Sequence, residues 1–101
     1  MMILFLAAIA PAPITIPEPL KRDLRCVVVI AIHGDPKLKN DGAYFSAIVG
    51  ADIMDATKES RESVRETMLD EAAIVRKAGK PKPQTVAACT GQMRARIALV
   101  Q

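Results

Sequence analysis

Between Leu24 and Ile32 the chain runs through nine residues of which only Arg25 is charged. The stretch also carries Cys26, and the sequence holds only one other cysteine, Cys89. A segment this apolar belongs at the centre of a core, and the rest of the chain has to cover it. Two conformations compete for it. The β-branched series Val27-Val28-Val29-Ile30-Ala31-Ile32 favours a buried strand. Its flanks favour a helix, because Pro19 suits a first turn and Gly34 followed by Asp35-Pro36 suits a stop. No other stretch offers a strand to pair with, so the segment reads as a helix in which Leu20, Leu24, Cys26, Val27 and Val28 form one stripe. The core it builds is aliphatic: half of the 101 residues are hydrophobic and only 3% are aromatic.

Three further helices follow. Asn40 or Asp41 can cap the start of a second one reaching about Ala56. Its apolar positions are Tyr44, Phe45, Ile48, Val49 and Ile53, with Asp41, Asp52 and Asp55 left to solvent and Gly50 open to a close approach. The two aromatics are expected to plug the bundle. Thr57 reads as the cap of a third helix whose stripe is Val64, Met68, Ala72, Val75 and Ala78. Lys58 with Glu62, and Glu62 with Arg65, are spaced to pair across one turn. Arg76 and Lys77 suit the negative end of this helix, and Gly79 and Pro81 end it. After the connector Lys80-Pro81-Lys82-Pro83, a fourth helix from Gln84 to Val100 carries Val86, Cys89, Met93, Ile97 and Val100 on one face. Arg94 and Arg96 are expected outside that face. The expected fold is all-α, a small four-helix bundle.

Upstream, Met1 to Ala10 is wholly apolar, the length of a secretory h-region and well short of a membrane span. Ala8-Ile9-Ala10 and Ala10-Pro11-Ala12 offer small-residue cleavage sites. Pro11, Pro13, Pro17 and Pro19 then make a stiff, extended spacer. The expected organisation is a leader over residues 1–12, a spacer over 13–19 and a helical domain over 20–101. Export to the periplasm or beyond follows, with an uncleaved leader tethering the protein to a membrane as the alternative.

In an oxidising compartment Cys26 and Cys89 are expected to form one disulfide tying the first helix to the last. A redox or metal-binding pair is the functional alternative, but there is no C-x-x-C spacing and both cysteines lie among apolar residues that would leave them inert. His33 falls seven residues after Cys26. On a helix that is a separation of about 10 Å, too far to share an ion, and a histidine at a helix C-terminus has its own electrostatic reason to be there.

Ser46, Ser60 and Ser63 lack a motif that would bring His33 and a carboxylate to them. Glu62 with Glu66, and Asp70 with Glu71, read as exposed helical charge. The glycines are isolated, so no phosphate-cradling loop is present. Arg76, Lys77, Lys80 and Lys82 form the densest basic patch, yet no aromatic residue accompanies them to stack on bases. With a formal net charge of +3, the expectation is a chain that is not an enzyme, takes no cofactor or metal, and binds no nucleic acid.

At Asp23-Leu24-Arg25-Cys26 and Val86-Ala87-Ala88-Cys89 the chain resembles small uncharacterised exported helical proteins of alphaproteobacteria, which have a leader, a first-helix cysteine and a late Ala-Cys. More distantly, the two-cysteine layout and Val86-Ala87-Ala88-Cys89-Thr90 are similar to periplasmic acid-stress chaperones of the HdeA type. That resemblance implies a disulfide-tied helical protein that loosens at low pH and binds unfolding clients. Only Cys26 and Cys89 carry over, and here they lie farther apart. The function expected is contact with an unidentified protein partner, by a monomer or weak homodimer without a stable membrane span. The alternative is a pH-responsive holdase that opens when carboxylates near basic neighbours, such as Asp41 or Glu71, are protonated.

Overall fold

The computed structural model describes residues 14–101, so the expected leader lies outside the described residues. Among the described residues four α-helices follow one another, α1 (Glu18–His33), α2 (Lys39–Thr57), α3 (Arg61–Lys77) and α4 (Pro83–Val100), with one 3-10 turn at Pro36–Leu38. No strand occurs among the described residues, and the β-branched run is helical. Local propensity disfavours that outcome by only a few tenths of a kcal/mol per residue, which burial easily outweighs.

α1 packs on all three other helices, whereas α3 and α4 each pack on α1 and α2 rather than on each other. Surrounded in this way, α1 buries Leu24 and every residue from Cys26 to Ile30. The single stripe expected for it is therefore too narrow. Consecutive buried residues point around most of the helix, as they must when neighbours press from three sides. Pro19 sits in the first turn, and Gly34 closes the helix at φ 71°, its N–H donating to the Ile30 carbonyl at 3.1 Å. Glu18 and Pro19 thus belong to α1 and not to the spacer, while Ile16 from the spacer packs against the core.

α2 inserts Phe45, Val49 and Ile53, all fully buried, beside Met93 of α4 and Leu24 of α1. Tyr44 is 46% exposed, so only one of the two aromatics plugs the bundle. The neighbouring position lies about 100° around the helix, beyond the reach of the same core. Neither Asn40 nor Asp41 caps α2. The chain enters it through the 3-10 turn, which Asp35 caps by accepting from the Lys37 amide at 3.0 Å.

The boundary between α2 and α3 also differs from expectation. Thr57 ends α2, its hydroxyl donating to the Ile53 carbonyl at 2.7 Å, and Ser60 caps α3 by accepting from the Ser63 amide at 3.1 Å. Between them Lys58 takes the left-handed conformation at φ 58° and pairs with Asp55 at 3.7 Å rather than with Glu62. Val64 is buried, and Met68 and Val75 pack against the core, while Ala78 beyond the helix end is exposed. α4 buries Val86, Cys89 and Met93, but its expected face ends at Ile97, and Val100 is exposed.

Candidate functional site

The chemistry-bearing residues of the chain gather along the seam of α1 and α4. Cys26 and Cys89, 63 residues apart in sequence, are joined by a disulfide with their Cα atoms 4.9 Å apart. Both are buried, and no free cysteine remains among the described residues.

One helical turn before Cys26 lies Asp23, and one and two turns after Cys89 lie Gln92 and Arg96. Because α1 and α4 run antiparallel here, these three meet. Asp23, only 7% exposed, is the one buried charged residue among those described. Its Oδ1 accepts from Gln92 Nε2, and its Oδ2 lies 3.2 Å from Arg96 Nε. The other end of the guanidinium, Nη2, donates to Asp52 Oδ2 of α2. Arg96 thereby spans two carboxylates and connects three helices. A guanidinium suits this position because its planar fork presents donors in two directions and stays charged.

Arg96 and Asp52 were expected in solvent. The structure instead pairs them, and the reason lies in register. Once Cys26 faces Cys89, positions at −3 on α1 and at +3 and +7 on α4 must face each other too. The cysteine pair was thus the signal from which Asp23, Gln92 and Arg96 were readable. Nothing comparable announced Asp52, which arrives from a third helix. Arg94 does stay on the outside, reaching Asp41 at 3.8 Å with both side chains half-exposed or more.

A second charged contact joins α1 to α3. Glu71, expected to be exposed, is largely covered, and its Oε2 lies 3.7 Å from Arg25 Nη2. That oxygen makes no hydrogen bond. Asp70, Glu62 and Glu66 are exposed, as read from the sequence.

The remaining candidates do not converge. His33 is the last residue of α1, while Ser60 and Ser63 bond each other at the start of α3. Ser46 lies on α2 beside a cleft of about 590 Å³ walled by Val27, Ile30, Leu38 and Gly42. No group of three histidine, cysteine or acidic side chains that could hold a metal occurs among the described residues. Among those residues no helix is long and apolar enough to cross a membrane. The seam holds the bundle: a covalent bridge and an arginine between two carboxylates fasten α1, α2 and α4.

Compared with known proteins, the chain matches no family model, no curated protein and no solved structure.

Proposed function

We propose that this is an exported, non-catalytic helical protein that works by protein contact, with the outward face of α4 as the contact surface and a second copy as its partner. The observation that supports this is the composition of that face. Ala87, Ala88, Gly91, Ala95, Ala98 and Leu99 all lie exposed on one side of α4. Small side chains at that spacing let another helix approach closely, and a symmetric pair of copies is the commonest way to use such a face. Arg94 flanks it, turned toward Asp41. The disulfide supports the oxidising compartment that export implies.

The test is the oligomeric state of the oxidised chain. Sedimentation equilibrium from micromolar to millimolar protein should show weak dimerisation that Gly91→Gln removes. A chain that stays monomeric throughout, or a Gly91→Gln variant that dimerises as well as its parent, would refute this reading. For export, the intact mass before and after reduction and alkylation should show a shortened chain whose thiols react only after reduction. A full-length mass with two free thiols would refute export and the bridge together and leave a cytosolic or tethered helical protein.

A second reading, the acid-responsive holdase, is favoured by Arg96 standing between Asp23 and Asp52. Opening the bundle at that junction of three helices would expose its aliphatic core. A holdase would bind a hydrophobic dye at pH 3 while remaining soluble and would keep an unfolded client from aggregating. Unchanged dye binding between pH 7 and pH 3 would remove this reading.

A further inference from the structure

A further cavity lies at the other end of the α1–α4 seam, where the C-terminus of α1 meets the connector into α4. It is an open hollow of about 640 Å³ lined by His33, Lys80, Pro81, Lys82, Pro83, Val86 and Ala87. Its composition divides in two. Pro81, Pro83, Val86 and Ala87 are apolar, while His33, Lys80 and Lys82 are basic. No aspartate or glutamate lines it, and neither lysine forms an ion pair among the described residues.

Several features make this more than the solvated helix end that Lys80 and Lys82 suggest in the sequence. His33 is 47 residues away from Lys80 in the chain and is brought to the same hollow only by the fold. The connector is held in place on both sides, by Gly79, whose N–H donates to the Arg76 carbonyl, and by the first turn of α4, where the Val86 amide donates to the Lys82 carbonyl at 3.0 Å. Prolines on either side of Lys82 restrict the backbone further, so the two lysines flank a preset concavity. Arg96, a cationic side chain on the same seam, already has carboxylate partners. A hollow of this size with apolar lining residues and unpaired donors has the form of a small-ligand site.

We infer that this cavity binds an anionic amphiphile, a phosphate or carboxylate head held by Lys80, Lys82 and His33 with an aliphatic body against Val86 and the two prolines. Ammonium groups act on such a head as mobile point charges, which suits an open, shallow site better than a rigid fork would. The cavity meets the contact face proposed for α4 at Ala87, so the two are tested by substitutions away from that residue, Gly91→Gln for the face and the lysine variants below for the cavity.

The test uses the full oxidised chain at low salt with octyl phosphate as the soluble probe and octyl glucoside as the uncharged control. Octyl phosphate should shift the Val86 amide and the His33 ring resonances saturably. The double variant Lys80→Gln/Lys82→Gln, altered only at exposed positions, should bind about tenfold more weakly while keeping its helical circular dichroism. Equal binding of octyl glucoside, or an unchanged affinity in the double variant, overturns the inference. A second arm identifies the source of the head group. Lysine-dependent co-sedimentation with phosphatidylglycerol vesicles but not phosphatidylcholine vesicles assigns it to a bilayer, and octyl phosphate binding without vesicle binding assigns it to a free amphiphile. Binding of neither probe overturns the inference outright.

Discussion

Arg96 Nε lies 3.2 Å from the Oδ2 of Asp23, and both side chains are mostly covered, 23% and 10% exposed. The pair is worth most when considered through its loss. Removing one partner leaves the other charged, covered and unanswered, which is far more damaging than the pair is stabilising. Arg96→Met should lower the unfolding free energy by about 2 to 3 kcal/mol, somewhat below the usual range for a fully buried pair because Arg96 retains some solvent. Asp52→Asn should lower it by less than about 1 kcal/mol, since that carboxylate is 45% exposed. Combining Asp23→Asn with Arg96→Met should recover part of the loss. Urea unfolding of the oxidised proteins measures all three, and equal losses for Arg96→Met and Asp52→Asn would contradict the arrangement.

The disulfide closes a loop of 63 residues between helices that begin and end the bundle. In the chain-entropy account such a loop contributes about 4 kcal/mol, and a domain of this size has little stability beyond that. The Cys26→Ala/Cys89→Ala variant is therefore expected to be extensively unfolded or molten at 37 °C. A thermal melt followed by circular dichroism, which in the variant should lose its sharp transition, checks this.

Two glycines inside helices are expected to behave differently. A methyl at Gly91 would meet nothing within 4 Å, so Gly91→Ala should gain about 0.5 to 1 kcal/mol from helix propensity alone. At Gly42 the same methyl would come within 3.3 Å of Ile30 Cγ2, where α2 crosses close to α1. Gly42→Ala should then gain less than Gly91→Ala or lose stability. The order of the two denaturation midpoints is the measurement.

Lys58 ends α2 in the left-handed region at φ 58°, where a side chain bears a steric penalty that glycine avoids. Its ion pair with Asp55 is exposed and offsets little. Lys58→Gly should raise the midpoint by the equivalent of about 1 kcal/mol. Gly34→Ala, at φ 71°, should lower it by a similar amount, and a loss on Lys58→Gly would show that the tether to Asp55 matters more than the backbone.

What the sequence determined by itself is whatever depends on neighbours along the chain. Helix ends written in proline and glycine, at Pro19, Gly34 and Gly79, were legible because those residues restrict their own backbone wherever they stand. The core-facing sides of α3, at Val64 and the partly buried Met68, and of α4, at Val86, Cys89 and Met93, were legible because helical periodicity is a local property. The cap read at Thr57 was not legible, because it depended on how the chain left α2: Thr57 ended that helix and Ser60 capped the next.

Tertiary structure alone decided the rest. A helix with one partner needs one stripe, and only the placement of α1 against three others explains why consecutive valines are all buried. A charged residue carries no mark of whether its counter-charge will come from another helix, so Arg96 and Glu71 read as solvent-facing until packing covered them, and Asp52, still 45% exposed, read as unpaired. The same is true of His33, whose nearness to Lys80 and Lys82 arises because α1 ends where α4 begins. Local chemistry specified the helices; the meeting of side chains far apart in sequence specified the seam and the cavity at its end.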